Sequence, residues 1–241
     1  LFRAVYHELP DVLAAAGLTR VEGILLDLGL SSLQIDRAER GFAYAVDAPL
    51  DMRMDPDSEP TAATIVNTWP ATELARILRV YGEERNARRI AAAIVAAREV
   101  EPFSSSARLV RLIADAVPIA QRNSGGHPAK RTFQALRIVV NGELDSLSAV
   151  LPAALDALAP GGRLAVLAYH SGEDRLVKRT FAEAARDHVP PGVPDVPAGY
   201  RARFTLLTRG AERPDAAEVT VNPRAASARL RGITRNQEDP R

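Results

Sequence analysis

Val21-Glu-Gly-Ile-Leu-Leu-Asp-Leu-Gly29 decides how the rest of the chain is read. Ile24, Leu25 and Leu26 form a short apolar run that stops at Asp27 and Gly29. Such a run, bounded by a carboxylate and a turn residue, predicts a parallel strand buried on both faces. Open α/β sheets bind ligands just beyond the carboxyl ends of their strands. Asp27 is therefore a candidate ligand contact, able to accept hydrogen bonds from an amine; the competing reading is a cap for the next helix. After it, Gly29 lets the backbone pass close to a ligand, and Ser31, Ser32 and Gln34 offer neutral donors and acceptors. An ordinary polar turn is the alternative.

The matching strand lies far downstream. Pro160-Gly-Gly162 turns the chain into a strand over 163–169, and Tyr169-His-Ser-Gly-Glu-Asp174 follows its carboxyl end. If the two strands adjoin, His170 comes next to Asp27. His, Ser and Asp here are too close in sequence for a hydrolase triad, and no G-x-S-x-G elbow exists. Four His and no Cys leave no closed zinc site, so no metal is expected. The tract reads as a substrate-pocket turn, with Ser171 as a candidate helix cap.

Between the strands, residues 30–60 predict an ordered loop with little regular structure. Apolar residues at helical spacing then predict helices from about 61 to 125, and one long helix over about 131–158. A short helix over 11–15, a helix over 174–187, strands at 203–208 and 218–221, a loop at 123–126 and a Pro/Gly loop at 190–199 complete the reading. Strand, long crossover, strand, helix, strand, strand is an α/β order with a mostly parallel sheet and an antiparallel edge. The expected organisation is a sheet domain over 1–34 and 127–231, a helical insertion over 35–126 and a flexible tail over 232–241.

The basic residues of the insertion have two readings. Arg53, in Pro49-Leu-Asp-Met-Arg-Met-Asp55, is either a loop-pinning ion pair or a phosphate contact. Arg85, Arg88 and Arg89 form a local basic patch, suited to phosphate or simply a solvated helix face. His127-Pro-Ala-Lys-Arg-Thr-Phe133 puts His127 and Arg131 at a helix mouth, where an anion would be favoured. Phe133 belongs either in the core or against a base. Asn141 and Glu143 suggest a buried polar contact to a neighbouring loop.

Composition bounds these readings. The chain has 241 residues, 46% of them apolar and none of them Cys, which fits a packed core in a reducing cytoplasm. No apolar run is long enough to span a membrane. A net charge of +1 excludes whole-surface attraction to nucleic acid, so RNA would have to be held by local patches. The chain opens on Leu and its only Met residues are Met52 and Met54, so a fragment or processed product is expected.

Taken in order, Asp27-Leu-Gly-Leu-Ser-Ser-Leu-Gln-Ile-Asp36, Arg40-Gly-Phe42, Pro49-Leu-Asp-Met-Arg-Met-Asp55, Tyr81-Gly-Glu-Glu-Arg85, His127-Pro-Ala-Lys-Arg-Thr-Phe-Gln-Ala-Leu-Arg137, Pro160-Gly-Gly-Arg163, His170-Ser-Gly-Glu-Asp174 and Asn222-Pro-Arg-Ala225 resemble the MraW/RsmH family. The resemblance implies a Rossmann-like class I methyltransferase fold with a partial sheet and an inserted helical subdomain. It implies S-adenosylmethionine as donor, and as acceptor the N4 amine of a cytosine in the decoding region of 16S rRNA in the small ribosomal subunit. Tyr6, Asp27 and Gln34 match cofactor-contacting positions, and His170 falls near the reaction centre. Asp27 and His170 are thus the expected catalytic pair; Arg53, Arg85, His127 and Arg131, with Phe42 and Tyr44, are the expected substrate contacts. Two departures stand out: the family's opening strand and Gly-Gly-His-Ser loop would precede Leu1, and Gly172 replaces the family's usual Leu. An inactive fragment that keeps only an RNA-binding or assembly surface is the alternative reading, and a small-molecule methyltransferase is a further one.

Overall fold

The computed structural model describes residues 1–122, 126–187 and 200–237. They form two compact units: Leu1–Gly29 with Leu144–Arg241, and Leu30–Glu143. The loop expected at 190–199, most of that at 123–126, and residues 238–241 of the expected tail lie outside the described residues.

The first unit holds helix α1 (Leu9–Ala15) and strand β1 (Val21–Asp27). The second unit, described below, contributes α2 to α8. The first unit then resumes with α9 (Glu143–Ala157), β2 (Leu158–Ala168), α10 (Ser171–Ala184), β3 (Phe204–Leu206), α11 (Ala216–Val221) and β4 (Arg229–Arg235). Among the described residues the sheet has four strands, in the order β1-β2-β4-β3. β1 and β2 are parallel, with Asp27 opposite Leu167, so the two strands end side by side. β4 runs antiparallel to both β2 and β3. The sheet is therefore less parallel than the element order predicts.

Its core gathers Leu26, Leu147, Val150, Leu151, Leu164, Val166, Val177, Phe181 and Ile233. Among the described residues β1 pairs only with β2 and Leu25 is 64% exposed, so β1 is not buried on both faces as its apolar run suggests. β4 also departs from expectation, since Gly232–Arg235 of the expected tail pairs in the sheet interior. Its many arginines conceal it. Arg229 and Arg231 reach Asp174 of α10 at 3.0 and 2.7 Å, which neutralises charge beside a buried face. Residues 218–221, expected as a strand, are helical, because the Asp215 side chain caps α11 by accepting the Glu218 N–H at 2.7 Å.

The second unit comprises α2 (Ser32–Asp36), α3 (Ala62–Thr68), α4 (Ala71–Val80), α5 (Ala87–Val100), α6 (Ser106–Ala116), α7 (Ile119–Arg122) and α8 (Lys130–Asn141). Leu74, Ile77 and Leu78 of α4, Ile90 and Ile94 of α5, Leu109 and Ile113 of α6 and Phe133 and Leu136 of α8 share one core. That packing draws 127–143 into the helical unit, beyond the expected limit at 126. The single long helix expected over 131–158 is two helices. Gly142, at φ +57°, takes the left-handed conformation that ends α8, and α9 starts at Glu143.

The loop before α3 is a knot tied by its own polar groups. Arg40 donates to the carbonyls of Arg53 and Met54 at 2.6 and 3.0 Å. The Asn141 side chain donates to the Met52 carbonyl and accepts the Met54 N–H, which is the buried polar contact expected of it. Gly41 has φ +70°, and a Cβ there would lie 2.1 Å from the Pro49 carbonyl oxygen. Only glycine fits.

Candidate active site

Because β1 and β2 end together, the Asp27 side chain meets the residue that follows β2. That residue is Tyr169. Its hydroxyl donates to Asp27 Oδ1 at 2.8 Å. From the other side the Tyr6 hydroxyl donates to the Asp27 backbone carbonyl. Asp27 is exposed, and its Oδ2 has no partner among the described residues. Burial, the hydrogen bond to Asp27 and the negative charge of that carboxylate push the Tyr169 phenol up to about 12. Burial, Asp27 and Glu173 likewise raise the Tyr6 phenol. Both hydroxyls therefore stay protonated, as donors, at neutral pH.

His170 does not join this group. It is the N-cap of α10: Nδ1 accepts the N–H groups of Gly172 and Glu173 at 3.1 and 3.4 Å. Nδ1 as acceptor puts the proton of the neutral ring on Nε2. That nitrogen lies 3.3 Å from Glu173 Oε1, without the alignment of a hydrogen bond. The imidazole is only 8% exposed. His170 thus serves the helix terminus, and the structure joins Asp27 to the hydroxyl one residue earlier. Ser171, the expected cap, is the first helical residue instead. Glu173 completes a capping box, accepting the Tyr169 and His170 N–H groups at 2.8 and 3.2 Å. Gly172 has ordinary backbone angles, and an added Cβ would approach the His170 ring at 3.1 Å, so a larger side chain would press on that cap.

Gln34 belongs to the helical unit, where its Oε1 accepts the Ser31 N–H at 3.0 Å and closes a capping box on α2. Arg53 shows the pinning alternative: Nε and an NH2 group grip both Asp51 oxygens at 2.9 and 2.8 Å, and a further N–H meets the Ser58 carbonyl. This engagement leaves little of the guanidinium for a phosphate. Phe42 is 9% exposed and belongs to the core, not to a base-stacking surface.

The other expected substrate contacts remain outward. Arg85, Arg88, Arg89 and Arg131 are exposed and make no ion pair among the described residues. Their tracts are neighbours, because Gly82 lies against the Arg131 carbonyl, 2.5 Å from an added Cβ. His127, also exposed, stacks on Tyr44 with ring centroids 4.7 Å apart, and Tyr44 meets buried Phe133 edge-on. Tyr44 and His127 thus present a supported aromatic face, which periodicity could not reveal because they are distant in sequence.

A parallel strand pair ending in a carboxylate held by tyrosines, within an open α/β sheet, is the ligand-binding end of a Rossmann-like enzyme fold. A family model described as the MraW methylase family matches residues 1–236. The chain belongs to this methyltransferase family. It is similar to proteins named ribosomal RNA small subunit methyltransferase H. The one from Streptomyces avermitilis is 61% identical over 99% of this chain and 75% of its own length. Those from Frankia alni and a Nocardioides species are 60% and 58% identical, over 100% and 98% of this chain and 74% of their own lengths. No single helix among the described residues is long and apolar enough to cross a membrane.

Proposed function

We propose that the chain transfers a methyl group from S-adenosylmethionine to the N4 amine of a cytosine in the decoding region of 16S rRNA. The observation that carries this is the exposed Asp27 carboxylate at the end of β1, held on one oxygen while the other has no partner among the described residues. The chain's likeness to methyltransferases named for small-subunit ribosomal RNA supplies the acceptor class.

The residues present suit the donor. A free carboxylate oxygen complements a cationic amino-acid end, and Tyr6 is a partly exposed aromatic beside it. When bound, the donor supplies an electrophilic methyl on a sulfonium. Gly29, at φ +82°, keeps the space beside Asp27 open apart from the Tyr169 ring.

The acceptor is demanding. Cytosine N4 is a weak nucleophile because its lone pair is delocalised into the ring. A carboxylate that accepts a hydrogen bond from N4–H returns density to nitrogen and lies where the departing proton must go. Asp27 Oδ2 suits this role, and equally suits holding the amino group of the donor. The reacting base must leave its stack to reach such a site. The Tyr44–His127 pair, with the cations at Arg85, Arg88, Arg89 and Arg131, has the chemistry to grip unstacked RNA through base faces and phosphates.

The test is transfer of labelled methyl to small-subunit RNA, with nucleoside analysis of the product. N4-methylcytidine is expected, and Asp27→Ala should abolish it with an unchanged circular dichroism spectrum. Near-normal turnover in that variant removes Asp27 from the reaction.

A further inference from the structure

We propose that Tyr169 is a positioning residue, one that locks the Asp27 carboxylate so that a single oxygen, Oδ2, is offered to the ligand. The inference rests on the reading above that Asp27 meets donor or acceptor, and it adds a residue that this reading does not require.

An exposed carboxylate on a strand end rotates freely about its last torsion and offers either oxygen. Here it does not. The Tyr169 hydroxyl holds Oδ1 at 2.8 Å, and Tyr6 fixes the backbone carbonyl of the same residue. Tyr169 is itself tethered. Its N–H donates to the carboxylate of Glu173, a residue 2% exposed, and its ring edge is 3.5 Å from the place a Cβ would take at Gly29. The α10 capping box thus aims the phenol, and the phenol aims the carboxylate. A hydroxyl whose pKa is about 12 keeps its proton throughout the neutral range, so the lock does not open with pH there. A site built this way favours a ligand amine, which needs one well-placed acceptor. It disfavours a guanidinium, which takes both carboxylate oxygens at once.

Tyr169→Phe keeps the ring and removes the lock. The hydrogen bond it removes has a charged acceptor, so a change of about tenfold or more is expected, as a fall in kcat if Oδ2 meets the acceptor amine or as a rise in the KM for S-adenosylmethionine if it holds the donor. The KM for RNA should be unchanged, because the surface proposed to grip RNA is untouched. Equal kcat and equal KM for S-adenosylmethionine in wild type and Tyr169→Phe overturn the proposal, as does a loss confined to the KM for RNA.

A second measurement needs no turnover. With 13Cζ-labelled tyrosine, the Tyr169 resonance, assigned by its absence in Tyr169→Phe, should remain that of a protonated phenol at about pH 10.5, above an ordinary phenol pKa of about 10. In Asp27→Asn, which removes the negative charge, the same resonance should begin to titrate at lower pH, while burial of the ring, the larger cause, remains. A resonance that titrates normally in wild type, or that ignores Asp27→Asn, overturns the proposal. If wild type transfers no methyl group, the proposed function fails, while the phenol titration still decides whether Tyr169 holds Asp27.

Discussion

Asp174→Asn is the perturbation whose size follows most directly from the structure. Asp174 is 12% exposed and accepts from Arg231 Nε at 2.7 Å and from Arg229 at 3.0 Å, which ties α10 to β4. A buried hydrogen bond to a charged group contributes about 1.5–3 kcal/mol. The Arg229 arm, at 32% exposure, is discounted towards a surface pair of about 0.5 kcal/mol. Asparagine keeps the shape and one acceptor oxygen, so the expected loss near neutral pH is about 2 kcal/mol. For a chain of this size that is a fall in Tm of about 4–8 °C. The pH dependence has a definite sign. Burial raises the Asp174 carboxyl, but the hydrogen bonds from Arg231 and Arg229 outweigh it and hold the group below its usual range. A depressed carboxyl stabilises the fold above its unfolded pKa of about 3.9, and this contribution fades as pH falls through the lower folded value. Wild type and variant should therefore differ most at neutral pH and converge in acid. Urea unfolding followed by circular dichroism measures the gap, and hydrogen exchange of the β4 amides locates it. A difference under about 0.5 kcal/mol at neutral pH, or one that persists undiminished at about pH 2, refutes the reasoning.

Three further perturbations separate roles. Gly41→Ala should destabilise the helical unit by more than about 2 kcal/mol, since it adds a backbone clash to a left-handed conformation; Trp69, which lies in that unit, reports it by fluorescence. His170→Asn supplies another good N-cap, so stability should stay within about 1 kcal/mol and methyl transfer should persist; a hundredfold loss with intact stability would restore a reacting imidazole. Arg85→Ala and Arg131→Ala should leave Tm unchanged, weaken binding of small-subunit RNA, and each lower the slope of log affinity against log salt by about one; unaltered slopes would remove both from the RNA surface.

Much of this architecture was legible in the residues. The run Ile24–Leu26 announced β1, and helical spacing of Leu74, Ile77 and Leu78 announced α4. Asp27 was marked by its place at a strand end. The misses have two causes: partners distant in sequence, and local helix ends that override the pattern around them. The arginines of β4 mask its strand pattern, and only Asp174, beneath Arg229 and Arg231, shows how their charge is met. Val219 and Val221 favour a strand, yet Asp215 caps a helix over them. Gly142 lies inside the helix expected over 131–158 and instead ends one. At the site, His170 drew notice because imidazoles do chemistry, whereas only the direction of the side chains after β2 shows that Tyr169 reaches the carboxylate.

The position of β1 has a practical corollary. Among the described residues β1 is paired on one side only, by β2, so its outer amides and carbonyls can take up a further extended segment, of the same polypeptide or of another. Leu25→Lys would leave the β1–β2 pairing intact while making the outward face less hospitable to an apolar cover.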